Sequence, residues 1–184
     1  MLGQIALFPP DESLPLRRRL TLQMCELKDV RGMLEGLHYL KRARVGRQIN
    51  YLVLIDGVVD GVITYALPMM SDDFHNVPSD QVLEFARLYL KSNTPHSASC
   101  AIGKSIRRVK RDWIQRFPTA NEPMIIVSWS DQTRHKGTIY KAANFIHDGV
   151  SPGILPANNK ESIRGHREKH ADYGHPKDRW IYWL

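Results

Sequence analysis

The chain has 184 residues, 42% of them hydrophobic and 24% charged, with a mean hydropathy of −0.37. That apolar share supports a core and excludes a mainly disordered chain, and no run reaches the ~18 apolar residues of a membrane span. Lys and Arg number 26 against 19 Asp and Glu, giving a net charge of +7 and a pI near 9.5. Such a basic domain meets a polyanion (nucleic acid, a phosphorylated cofactor or an acidic membrane surface) unless the charge serves solubility alone.

The length fits one domain, 1–184. Residues 1–20 read as a loosely packed lead-in, with Pro9, Pro10, Pro15 and the cations Arg17, Arg18 and Arg19. No basic segment precedes the short apolar run at the start, so it makes a poor signal peptide. Over 21–40, Leu22, Met24, Leu27, Val30, Met33, Leu34 and Leu37 recur at near-helical spacing, which predicts a helix ending near Gly36. His38 follows directly. A histidine at a helix end is usually a surface or capping group, and becomes an acid–base or base-contacting candidate only if the chain folds back toward the strand ends. Lys41, Arg42, Arg44 and Arg47 then put four cations in seven residues. That run is either a solvated face or, beside a site, a clamp on a phosphate backbone.

Tyr51–Ile55 and Val58–Tyr65 flank Asp56-Gly57, a strong hairpin signal, and Pro68 ends the second strand. Residues 69–80 read as a polar loop and Val82–Leu90 as a strand broken by Asn93-Thr94-Pro95. The clearest helix is 101–117. Ile102, Ile106, Val109, Trp113 and Phe117 share one face, with Lys104, Arg107, Arg108 and Arg111 opposite. The small residues before it, including Ser97 and Ser99, lead into a helix whose first turns carry Lys104 and Arg107. Backbone N–H groups, hydroxyls and cations together make an anion site that fits a pyrophosphate. A plain serine cap is the competing explanation. Cations in that half oppose the helix dipole, which an acidic ligand would relieve.

Met124–Trp129 is an apolar run fit for a buried strand, and Ser128–Asp131 puts polar groups at its end, where open α/β sheets place their sites. Asp131 is a candidate general base or histidine-orienting group, and Tyr140 a candidate proton donor. Against this, Asp131 could cap a turn and Tyr140 could pack with its hydroxyl exposed. Residues 137–146 read as a short helix, 150–179 as mostly loop, and 179–184 as a terminal strand. His166, His170 and His175 have a permissive metal spacing, but no carboxylate or cysteine pattern completes a site. Cys25 and Cys100 are the only cysteines, so a disulfide scaffold or zinc module is excluded and the cytoplasm is the default compartment. The element order predicts an α/β or α+β fold with helices on a mixed sheet.

Leu37-His38-Tyr39-Leu40, Phe85-Ala86-Arg87-Leu88, the block from Ser128 through Tyr140 to Ile146, and the closing Lys177–Leu184 occur together. In these the chain resembles the Mom DNA-modification proteins of Mu-like bacteriophages, from about residue 35 to the end. The resemblance implies a GCN5-like N-acetyltransferase-related fold over 21–184. It implies conversion of adenine N6 in phage DNA to a carbamoylmethyl derivative that protects the DNA from host restriction. It also implies an acyl-CoA pocket (acetyl-CoA or a related thioester) between strands 82–90 and 124–129, with Ser97, Ser99, Ile102, Gly103 and Lys104 at the cofactor. Only Gly103 stands where the acetyltransferase phosphate loop has several glycines. On this reading His38 and Asp131 contact or deprotonate N6, Tyr140 is the acid or orienting group, and Arg87 pairs with an acidic group of substrate or cofactor. Cations at 41–47, together with Arg107, Arg108 and Arg111, hold the DNA backbone.

An iron requirement, suspected for the family, finds no assignable ligands. The expected partner is double-stranded DNA in the host cytoplasm, with a homodimer left open and no membrane. Two rivals remain: an acetyltransferase acting on a protein or small-molecule amine, and a non-catalytic DNA-binding protein.

Overall fold

The computed structural model describes residues 13–69, 73–152 and 175–184. In chain order the elements are α1 (Leu16–Arg19), β1 (Leu20–Cys25), α2 (Leu27–Gly36), β2 (Gln48–Ile55), β3 (Val58–Ala66), β4 (Val82–Leu90), α3 (Ser97–Arg116), β5 (Ile125–Asp131), α4 (Thr138–Ala142), β6 (Ile146–Ser151) and β7 (Lys177–Trp183). The strands form a mixed seven-stranded sheet in the order β1-β2-β3-β4-β5-β7-β6. The chain divides into two compact units: the first runs to Val127 and includes Trp183–Leu184, and the second is Ser128–Tyr182. No helix among the described residues is long and apolar enough to cross a membrane.

In the first unit the Asp56-Gly57 hairpin forms as the sequence predicts. Both residues take positive φ, 53° and 78°, which matches the twist of the flanking strands. Successive strand residues point to opposite faces, and this fixes the two layers. Val62 faces α2, where Val30 and Leu34 close on it. Ile63 and its cross-strand partner Tyr51 face the other way, toward α3. There Ile102, Ile106, Val109 and Trp113 are buried as the helical periodicity predicts. Fully burying one such side chain contributes about 1.5–3 kcal/mol. Two tyrosines register the sheet against α3: Tyr51 donates to Asp112 (3.0 Å), and Tyr65 bonds Ser105 (2.7 Å).

Three sequence expectations change. The helical spacing over 21–40 hides a strand, because Leu20, Leu22 and Met24 also satisfy a period of two; the helix starts only at Leu27, with the Glu26–Asp29 capping box closing its first turn. Helix α3 begins at Ser97, four residues before the expected start, so the serine-rich stretch is helix and not loop. The segment after α4 holds the strand β6, which its glycine and polar residues conceal.

The β4–β5 ladder is parallel and short, pairing Val82–Glu84 with Ile125–Val127. From Phe85 onward β4 continues against β3 alone. In the second unit β6 and β7 pair antiparallel, with an irregularity between His147 and Val150.

Candidate active site

At the end of β5, Asp131 is 2% exposed. Its Oδ1 accepts the Thr133 backbone N–H (2.9 Å) and hydroxyl (2.6 Å), and its carbonyl accepts the amides of Arg134 and His135. The carboxylate therefore builds the turn that leaves the strand. The other oxygen, Oδ2, is buried and accepts no hydrogen bond; the Arg134 guanidinium stands 3.6 Å away. Burial opposes the charge. The Thr133 hydrogen bonds, with the nearby His175 and Arg134 side chains, outweigh it and hold the carboxyl below its usual range. Asp131 is thus an ionised carboxylate with one oxygen that no described residue hydrogen-bonds and that Arg134 meets by charge alone.

Tyr140 sits on α4 and is buried. Its hydroxyl meets the Ser128 hydroxyl at 3.0 Å instead of facing solvent. Its ring lies flat against Trp180 of β7, with centroids 5.4 Å apart and planes 6° apart, and edge-on to Phe145. Trp180 donates its indole N–H to Ser130 (2.9 Å). Ser128 and Ser130 are one strand period apart on β5, so a single strand face engages both aromatic polar groups. Gly137 opens α4 at φ 70°. A Cβ there would stand 2.1 Å from the Trp180 ring, so both backbone and space require glycine.

His38 and Arg87 belong to the first unit. The loop after α2 folds over β4 and brings Tyr39 and Arg42 beside Arg87. His38 is buried, stacks on Tyr39 (4.6 Å) and accepts the Leu40 amide at Nδ1 (3.1 Å). A neutral ring in that arrangement carries its hydrogen on Nε2. Arg87 is 5% exposed and donates to the carbonyls of Arg42 (3.3 Å) and Ala86 (2.5 Å). Among the described residues no carboxylate comes within ion-pairing distance of it. Burial pushes its guanidinium down to about 10; Glu84 opposes that shift, and Arg42 and Arg44 add to it. Glu84, whose charge acts on Arg87 from three residues back on β4, is ion-paired with Arg44 at 2.5 Å.

Helix α3 starts from His96 in the left-handed conformation, with no side-chain cap on its first turn. Ser99 donates back to the His96 carbonyl (3.1 Å), Ser97 is buried, and Ile102 packs in the core. Lys104 and Gly103 lie in the second turn. The Arg107 guanidinium reaches back to 3.8 Å from where a Gly103 Cβ would be, so it leans toward the N-terminal end. An uncapped first turn with a cation leaning toward it suits an anionic group, although the residues are helical.

The basic residues separate into two sets. Lys41, Arg42, Arg47, Arg107 and Arg111 are exposed. Arg44 and Arg108 turn inward, which corrects their place among the phosphate clamps. Arg44 pairs with Glu84, while Arg108 pairs with Asp112 (2.6 Å), donates to the Leu22 carbonyl and lies over the Tyr51 ring. His166 and His170 fall outside the described residues. Among the described residues no three His, Cys, Asp or Glu side chains converge as metal ligands, so no donor set for iron is found there.

The Mom protein family model matches residues 19–181, across both units. The chain belongs to the Mom protein family. No curated protein matches it. Solved structures share its fold at low identity. One is a Salmonella typhimurium acetyltransferase that modifies the N-terminal serine of a 50S ribosomal subunit protein (12% identity, 92% of this chain and 98% of that one, TM-score 0.54). Another is a Bacillus subtilis acetyltransferase in complex with CoA (13%, 90% and 99%, 0.54). A third is a spermidine N-acetyltransferase from Vibrio cholerae (9%, 90% and 94%, 0.57). This Mom-family chain therefore has the GCN5-like N-acetyltransferase fold.

The sequence points to Ser128–Asp131 and Tyr140, but not to Trp180 or to the way Ser128 and Ser130 hold the two aromatic rings. The alternation of Ser128 and Ser130 in an otherwise apolar strand is the signal that could have revealed them.

Proposed function

We propose that this protein is a DNA-modifying transferase that converts adenine N6 to an N6-carbamoylmethyl group and so shields DNA from restriction. Membership of the Mom family over 19–181 supports the reaction class. The geometric observation that carries it is Asp131 Oδ2, a buried and ionised carboxylate oxygen with no hydrogen bond. Buried polar atoms are rarely left so, and a catalytic role is one of the few reasons.

Adenine N6 is a poor nucleophile because its lone pair is delocalised into the ring. Removing a proton as the new N–C bond forms restores its reactivity. Asp131 takes that proton, and the Tyr140 hydroxyl orients or protonates the departing group. In the duplex N6 is engaged in pairing, so the base is extruded or the strand transiently open. In the first unit His38 presents Nε2–H to an acceptor. Arg87, a buried cation with no carboxylate within ion-pairing distance among the described residues, pairs with an anionic group of substrate or donor. An acyl-CoA suits the uncapped first turn of α3, with Ser97, Ser99 and Lys104 around its pyrophosphate and Arg107 nearby. When bound, such a thioester would supply an activated acyl carbon, which gives an N6-acyl product. The carbamoylmethyl group joins N6 through its methylene carbon. That bond needs a donor carrying a leaving group on that carbon, which departs as N6 loses its proton to Asp131. The exposed cations Lys41, Arg42, Arg47, Arg107 and Arg111 hold the duplex backbone.

Restriction protection tests this reading. Plasmid from bacteria expressing the chain resists enzymes whose recognition sites contain adenine. Plasmid from cells expressing Asp131→Asn, which keeps an oxygen for Thr133 but loses the charge, is cut. The fold neighbours support a second reading, acetyl transfer to a protein or small-molecule amine. In that case both plasmids are cut.

A further inference from the structure

We propose that Trp180 is a positioning residue for Tyr140, holding the phenol so that its hydroxyl stays on Ser128. This rests on the reading of Tyr140 as the acid or orienting group.

Every contact in the argument lies within the second unit. The Tyr140 ring has Trp180 on one face, at 5.4 Å and 6°, and Phe145 against its edge, at 5.6 Å and 83°. Trp180 is itself fixed. It is 2% exposed, its N–H is bonded to Ser130, and the bare Gly137 backbone lies against its six-membered ring. His147 of β6 meets its indole at 5.0 Å. A parallel stack this close permits sliding but not tilting. The hydroxyl is thereby held at the Ser128 Oγ, 3.0 Å away.

Packing alone would not call for this chemistry. A core needing only volume at position 180 would take leucine or phenylalanine. Here an indole N–H is buried with a dedicated acceptor, on the same strand face as the serine that receives the phenol. A proton-transferring group must hold its reacting atom within a fraction of an ångström, and misplacement by about 1 Å can cost about a hundredfold in rate. The terminal strand therefore contributes to the reaction through Tyr140 without touching substrate itself.

The test uses the full chain labelled with 3-fluorotyrosine and read by fluorine NMR. Tyr140→Phe assigns the Tyr140 resonance by its disappearance. The same variants are expressed in bacteria, and modified deoxyadenosine is measured at matched protein level, with duplex affinity and melting temperature alongside. In Trp180→Leu the Tyr140 resonance is expected to broaden or move, and modification to fall about tenfold or more, with duplex affinity unchanged. Trp180→Phe keeps a ring on the stack and restores modification to within about threefold. Should Trp180→Leu fail to fold, Ser130→Ala carries the test. It removes the acceptor of the indole N–H, and it is expected to shift the same resonance and lower modification.

Full modification by Trp180→Leu (or by Ser130→Ala with an unmoved resonance), while Tyr140→Phe is inactive, overturns the role of Trp180 and leaves that of Tyr140 standing. Full modification by Tyr140→Phe overturns the reading of Tyr140 and the proposal with it. Parallel loss of modification, duplex affinity and melting temperature in Trp180→Phe assigns Trp180 to folding alone and also overturns the proposal.

Discussion

Replacing Glu84 by Gln removes one negative charge beside three arginines. Glu84 and Arg44 form their ion pair at 2.5 Å with side chains only 15% and 12% exposed, and the charge of Glu84 also acts on Arg87 and Arg42. Exposed pairs contribute about 0–1 kcal/mol, but breaking a buried pair from one side costs about 3–5 kcal/mol because a cation is left buried without its partner. The lower end applies here, since Arg44 keeps its bond to the Leu67 carbonyl (3.0 Å). A loss of about 3 kcal/mol lowers the melting temperature by about 6–12 °C in a chain of this size. Urea denaturation of wild type, Glu84→Gln, Arg44→Met and the double variant measures it. The double variant should recover part of the loss, with a coupling of about 1–3 kcal/mol. A loss below about 1 kcal/mol with no coupling to Arg44 would refute the argument.

Gly137→Ala combines a left-handed backbone, costing about 1–2 kcal/mol, with a collision against Trp180; a total of about 2–4 kcal/mol by chemical denaturation is expected. Burial pushes the Cys25 thiol up to about 12 from 9.0, and Tyr51 is raised the same way by burial and the Asp112 carboxylate. Both contribute stability below their unfolded pKa values that is lost as pH rises, so unfolding free energy measured from pH 8 to 11 should decline more steeply than in Cys25→Ser. Duplex affinity should fall steeply with salt. Arg107→Ala should reduce the magnitude of the log–log slope by about 1, whereas Arg108→Ala should leave the slope and cost stability, as its ion pair with Asp112 requires.

What the sequence discloses is what short-range physics decides. The Asp56-Gly57 turn, the strand at 82–90 and the apolar stripe of α3 depend on neighbours within a few residues, and each forms where expected. Strand β1 is misread because six residues of alternating Leu and Met also fit a helix, and β6 because its pairing with β7 is non-local. The candidate site divides the same way. Asp131 and Tyr140 lie nine positions apart and can be found together, but Trp180 joins them from forty residues further on. Four similar cations fill 41–47, and nothing in their order tells that Arg44 turns to Glu84 while Arg42 and Arg47 remain exposed.

Nucleoside mass spectrometry of DNA from bacteria expressing the chain is the most direct measurement, with Asp131→Asn as the folded control. A deoxyadenosine bearing the mass of one carbamoylmethyl group, absent in the control at equal melting temperature, is the expected result. Unmodified deoxyadenosine beside abundant, folded wild-type protein would contradict adenine modification and favour transfer to another amine.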